Sequence, residues 1–171
     1  MDNLIAQAIG GIAFIFGVMA FWQKDDIRFR YHMTTFCFIM AIHFVLMGAT
    51  VAAIGVTLNA IRSFISIKTQ SRGVMWCFIA VMWGMTVPNV TSMFELLTVI
   101  GSSVGTWALF SKKGITLRCL ILFNSLCWAT HNIWLGSIGG SLVETTFIIT
   151  NLITIYRLYI ARNQQIEEKP I

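Results

Sequence analysis

The chain has 171 residues, of which 57% are apolar, 13% aromatic and only 11% charged. Soluble domains carry about a quarter charged residues and under half apolar ones. A mean hydropathy of +0.77 therefore excludes a soluble enzyme, a disordered regulator, a collagen-like fibre and a disulfide miniprotein, and points to an integral membrane protein.

The charges are few enough to read one by one. Twelve bases fall into four clusters, at 24–30, 62–72, 112–118 and 157–169, and uncharged stretches separate them. A membrane span needs about 20 apolar residues, with about 17 tolerated. Residues 3–23 make the first span, an anchor rather than a cleaved signal because no basic n-region or cleavage site accompanies it. The uncharged stretch 31–61 would be about 46 Å long as one helix, too long for a core of about 30 Å. A break at Gly48-Ala49-Thr50 divides it into spans at 31–48 and 51–68, with Arg62 snorkelling near the end of the second. Pro88-Asn89 is a turn signal and separates spans at 74–88 and 94–111. The glycine-rich Gly136 to Gly140 segment separates 116–135 from 141–160.

Seven spans place all four basic clusters on one side, and the loops near 49, 89–93 and 136–140 contain no Lys or Arg. Basic loops stay cytoplasmic, so the N-terminus is expected outside and the C-terminus inside. The net charge of +5 is then topological and calls for no nucleic acid.

The chain also repeats itself. At a constant offset of 88, Gly17, Ala20, Lys24, Ile27, Arg30, Ala41, His43 and Gly48 match Gly105, Ala108, Lys112, Ile115, Arg118, Ala129, His131 and Gly136. A four-residue insertion then aligns Asn59 with Asn151. The span at 74–88 has no counterpart. A three-span unit copied directly would land inverted, and one linker span restores its orientation. The expected fold is all-α: seven transmembrane helices in a 3+1+3 plan. A first three-helix bundle covers 1–70, a linker helix 71–92, a second bundle 93–163 and a cytoplasmic tail 164–171. Parallel or inverted repeats with a site at their interface are a common transporter plan.

The stretches AIGGIAF (8–14), LNAIR (58–62), GTWALF (105–110) and HNIWLGSIGG (131–140) resemble the YgjV family of bacterial inner-membrane proteins over nearly the whole chain. The 3+1+3 plan resembles the SWEET and nicotinamide riboside transporters, and one half resembles a SemiSWEET. The resemblance implies a bacterial inner-membrane location and, on the third helix of each half, an Asn facing a central cavity: Asn59 and Asn151. It departs at the end of the first helix, where SWEET-type proteins carry Pro-Gln and this chain has Trp22-Gln23, with Phe110-Ser111 in the second half. Pro88 and Pro170 are the only prolines, so hinging at helix prolines is unsupported.

The remaining candidates come from the residues themselves. His43 and His131 are intramembrane ionisable groups, each five residues before a helix-ending Gly, and are read either as pathway residues or as structural donors. Asn124, Trp128 and Asn132 recur every four residues and form a polar and aromatic stripe suited to a ring or sugar. Glu144 is the one acid well inside a span, a candidate proton-coupling group unless it is simply hydrated near the outer loop. Gly10, Ala13 and Gly17, with Gly101, Gly105 and Ala108, form small-residue packing seams. Cys37, Cys77, Cys119 and Cys127 show no paired spacing, so neither a disulfide framework nor a metal is expected, and no cofactor or catalytic constellation is visible. The expectation is a facilitative carrier of a small neutral polar solute, with a receptor, sensor or scaffold as the alternative. Its partners are the bilayer and the solute, and homo-oligomerisation stays open.

Overall fold

The computed structural model describes residues 2–22, 26–112 and 114–167. Gln23, Lys24 and Asp25 of the first basic loop, Lys113 of the third and residues 168–171 of the tail lie outside the described residues. Among the described residues the chain forms seven α-helices and no strand: α1 (Asp2–Trp22), α2 (Asp26–Leu46), α3 (Thr50–Ile65), α4 (Arg72–Thr86), α5 (Met93–Ser111), α6 (Gly114–Leu135) and α7 (Ile138–Glu167). Each overlaps one of the seven expected apolar stretches. The largest differences lie at two ends, where α2 starts before Arg28 and Arg30 and α7 continues past residue 160, while α3 stops at Ile65, three residues short of the expected end. Basic side chains do not break a helix, so the ends of the charge-free runs understate helix length.

The breaks form where local chemistry requires them. Gly48 (φ 71°) and Gly136 (φ 74°) occupy the left-handed region at the ends of α2 and α6. Gly48 N donates to Val45 O at 3.1 Å and Ala49 N to Phe44 O at 2.9 Å. Gly136 N and Ser137 N repeat the pattern on Ile133 O and Asn132 O, at 3.1 and 2.9 Å. These are two Schellman motifs, which satisfy carbonyls the helix end would orphan. Pro88 enters a single 3-10 turn, Val87–Asn89, which ends the α4 segment. Ser92 and Glu95 then form a capping box that starts α5. Glu95 Oε2 accepts from Thr91 N at 2.7 Å and Ser92 N at 3.1 Å.

Six helices pack in a closed circuit, α1–α2–α3–α5–α6–α7 and back to α1, while α4 packs against α3 and α5. Small residues set the spacing. A Cβ on Gly139 of α7 would collide with the backbone of Gly10 on α1, and further along Gly17 meets Val143 and Phe147. These contacts advance together, so α1 and α7 run parallel. Asn59 to Ser102 and Arg62 to Thr106 are matching rungs between α3 and α5, which are likewise parallel. Large apolar side chains face outward all round, among them Leu4, Ile12, Trp76, Ile133 and Ile149. Such an exterior is stable against lipid and not against water. Among the described residues, Met93–Ser111 and Ile138–Ile160 are long and apolar enough by themselves to cross a membrane, with Leu4–Ala20 and Thr50–Ile65 as shorter apolar runs.

Candidate functional site: a cavity with unlike walls

A cavity of about 460 Å³ lies between α2, α3, α6 and α7, with one contribution from α5 at Leu109. The repeat organises its lining. Arg30, Met33, Phe36, Cys37, Met40 and Phe44 of α2 stand opposite Arg118, Ile121, Asn124, Ser125, Trp128 and Asn132 of α6, each pair 88 residues apart. Val56, Asn59 and Arg62 of α3, with Ser66 just beyond its end, match Glu144, Phe147, Thr150 and Thr154 of α7 at the same offset. The lining therefore keeps a constant offset through the third helices and uses no four-residue insertion. The position equivalent to Asn59 is Phe147, not Asn151.

Equivalent positions carry unlike chemistry. On α2 the wall is Phe36, Met40 and Phe44; on α6 the same three levels hold Asn124, Trp128 and Asn132. Phe36 packs edge-to-face on Phe147 with ring centroids 5.7 Å apart, and Phe44 approaches Trp128 at 5.8 Å. One face of the cavity is thus apolar and the other polar and aromatic.

The polar side is tied together at Ser102 on α5. Its Oγ accepts from Asn59 Nδ2 at 3.0 Å and from Trp128 Nε1 at 3.0 Å. One turn on, Thr106 Oγ1 accepts from Arg62 Nη1 at 2.7 Å. Ser125 lies beside the Glu144 carboxyl as a hydrogen-bonding neighbour, while Arg62 Nε, Asn124 Oδ1 and Asn132 Oδ1 are buried without a hydrogen-bond partner. A buried polar atom left unpaired costs about 1–3 kcal/mol, so this cavity favours an occupant that both donates and accepts.

Exposure falls along the cavity. Arg30, Met33, Leu117, Arg118 and Ile121 at the basic end are partly exposed, while Phe44, Asn132, Gly140 and Glu144 at the other end are buried. A latch closes that far end. His43, fully buried, bonds Ala6 O through Nδ1 at 2.7 Å and Ser137 Oγ through Nε2 at 2.7 Å. Because a carbonyl only accepts, Nδ1 carries the proton and a neutral ring accepts the Ser137 hydroxyl at Nε2. Gln7 adds a bond to Gly136 O at 2.9 Å and takes one from Ile138 N at 3.1 Å.

Of the residues singled out by sequence, Asn59, Asn124, Trp128, Asn132 and Glu144 share the cavity. His43 does not line it and belongs to the latch. His131 is also outside the lining; it is fully buried with centroids 5.9 Å from Phe44, 6.0 Å from Trp128 and 5.9 Å from Trp134, and neither ring nitrogen has a hydrogen-bond partner. Asn151 is fully buried, outside the lining, with both amide atoms unpartnered. Arg62 corrects the expectation of an interfacial anchor: it is 8% exposed and turns inward to Thr106. Glu144, expected as a candidate, lines the cavity, and so do Arg30, Arg62 and Arg118, which were not among the expected site residues. Arg30 and Arg118 were legible in the sequence as a repeat-matched pair but were credited to topology alone.

Comparison with known proteins agrees with the apolar exterior. The model of a bacterial inner-membrane protein family, Imp-YgjV, matches residues 4–162. The Escherichia coli (strain K12) inner membrane protein YgjV is 40% identical over 155 residues, covering 91% of this chain and 85% of that protein. No solved structure matches. A family model spanning nearly the whole chain, joined to that identity, places the chain in the YgjV family of bacterial inner-membrane proteins.

Proposed function

We propose that the protein is a transporter of a small polar solute, which binds in the cavity and passes by alternating access between two helix bundles. The observation that carries this reading is the cavity itself: buried at one end, partly exposed at the other, and lined by polar and charged side chains among apolar ones. Its volume falls within the range of about 300–1,000 Å³ typical of small-molecule sites. A scaffold gains nothing from such a wall, because burying polar atoms unpaired opposes stability.

In this reading all seven helices span the membrane, α1–α3 and α5–α7 are parallel bundles, and α4 is the linker that keeps them parallel. The closed circuit of six helices and the constant offset of the lining support it. The basic end faces the cytoplasm, the N-terminus lies in the periplasm, and the conformation is inward-facing with its periplasmic side latched. Helix prolines have no part in gating: Pro88 sits in the turn after α4. The moving contacts are instead those of the latch and the Gly10–Gly139 crossing, both of which join the first half to the second. In this reading the plan is that expected from the sequence, a SWEET-like pair of bundles.

The test is uptake into liposomes holding the purified protein, across labelled sugars, nucleosides, vitamins, amino acids and organic acids, with Asn124→Phe as the blocked control. Uptake of one class that Asn124→Phe abolishes supports the proposal. Absence of uptake for every class, or uptake indifferent to Asn124→Phe, overturns it in favour of a receptor or scaffold.

A further inference from the structure

Resting on the transport reading, we infer that the solute is a small organic anion whose carboxylate or phosphate is received by Arg62 and Arg30, with a hydroxyl, amide or ammonium donor directed to Glu144. Arg62 is 92% shielded from solvent, the complement of its 8% exposure, and Arg30 is held one turn away on Ser66, whose N–H donates to Arg62 O at 2.8 Å. Both are held by neutral groups. Arg62 Nη1 donates to Thr106 Oγ1, and Arg30 Nη1 donates to Ser66 O at 2.7 Å and to Ser66 Oγ at 2.6 Å. Neither forms an ion pair among the described residues. Arg62 Nε remains a donor without a partner.

Such an arrangement is costly by itself. A buried guanidinium needs an opposite charge, and a second cation beside it raises the cost. Hydroxyl contacts fix both planes without neutralising them, which preorganises a forked donor for a carboxylate or phosphate. Arg118 adds a third cation at the mouth, where it favours anion entry. Glu144, 8% exposed and beside the Ser125 hydroxyl, is the one acidic side chain in the lining. It lies on α7 at the level of Val56, six residues or about 9 Å along α3 from Arg62. The guanidinium groups and the carboxyl group thus sit at separate depths, and the solute they fit is anionic at one end and hydrogen-bonding at the other. The Phe36, Met40 and Phe44 wall covers its apolar side.

The test is thermal unfolding of the detergent-purified protein against shape-matched pairs: benzoate with benzamide, and glucose 6-phosphate with glucose, together with inorganic phosphate. Phosphatidylglycerol and phosphatidylcholine nanodiscs form a separate arm. The expected result is a raised Tm with an anion and none with its neutral twin, at least a tenfold affinity loss in Arg62→Gln, and a smaller loss in Arg62→Lys. Lys112→Gln removes one charge at the same end but outside the lining, and should leave affinity unchanged. If Arg62→Gln fails to fold, the partly exposed Arg30→Gln substitutes for it. Stabilisation by phosphatidylglycerol that needs Arg62 supports the anion receptor and identifies a lipid headgroup as its source. Equal binding of the neutral twins, binding unaffected by Arg62→Gln and Arg30→Gln, or no shift with any anion overturns the inference. Arg62-dependent anion binding without flux would sink transport and leave the receptor; flux of neutral solutes alone would do the reverse.

Discussion

His43 and Ser137, 94 positions apart in the chain, share a 2.7 Å hydrogen bond that fastens the end of α2 to the start of α7. Ser137 Oγ also accepts from Gly140 N at 3.1 Å, so one hydroxyl both starts α7 and holds the latch. Ser137→Ala should leave a buried imidazole nitrogen unpaired, at a cost of about 1–3 kcal/mol. The expected outcome is a lower Tm together with faster labelling of a cysteine placed at Asn132 from the side that the latch closes. A lower Tm with unchanged labelling would show that the bond stabilises without gating.

Gly48→Ala and Gly136→Ala should each cost about 1–2 kcal/mol, because an L side chain is strained in the left-handed region. Neither position has a neighbour that an added Cβ would meet within 4 Å, so the loss is backbone strain alone. Thermal unfolding of the two variants should give similar drops, and a loss at only one would show that the two turns are not equivalent.

Gly139→Ala should be worse than either. Its new Cβ would meet backbone atoms of Gly10, which cannot swing aside as a side chain can. The expected outcome is separation of α1 from α7, read as loss of a disulfide engineered across that crossing. Retention of the crosslink at wild-type yield would refute the close approach.

Ser102→Ala should unfasten Asn59 and Trp128 together. The expected outcome is at least a tenfold loss of uptake with a modest change in Tm and altered tryptophan fluorescence. Asn151→Ala, outside the lining, should leave solute affinity unchanged while altering stability; a loss of affinity equal to that of Asn59→Ala would return Asn151 to the site.

Glu95→Ala should cost about 0.5–2 kcal/mol, since it removes half of the capping box at the start of α5. Solute affinity should not change, and a change would place Glu95 in the pathway.

Much of the helix pattern was legible in advance because charge-free runs and their glycine or proline breaks are local features. Gly48, Pro88 and Gly136 end their segments where expected. Asn59, Asn124, Trp128, Asn132 and Glu144 were legible as polar residues in apolar stretches. The rest depends on rotation about each helix axis, which a weak hydrophobic pattern does not determine. Arg62 lies near a helix end, where snorkelling is the usual outcome, yet Thr106 on a neighbouring helix draws it inward. The Asn59–Asn151 pairing followed residue identity. The cavity obeys register instead, so an offset of 88 kept through the last helices would have found Phe147. His43 and His131 occupy matched positions, but Ser137 and Ala6 supply one with partners that the other lacks.

The unlike walls of the cavity have a consequence for how this architecture could have arisen. Two identical parallel copies of a three-helix unit can build only a chamber whose opposite faces are the same at each depth, and such a chamber cannot tell one side of a solute from the other. Once both copies belong to one chain, each face can change alone. Phe36 facing Asn124, and Val56 facing Glu144, are substitutions that no homodimer could accommodate on one side only. Unlike walls in one chain thus make side-from-side discrimination available, allowing a solute with two different faces to be held in a single rotation about the axis.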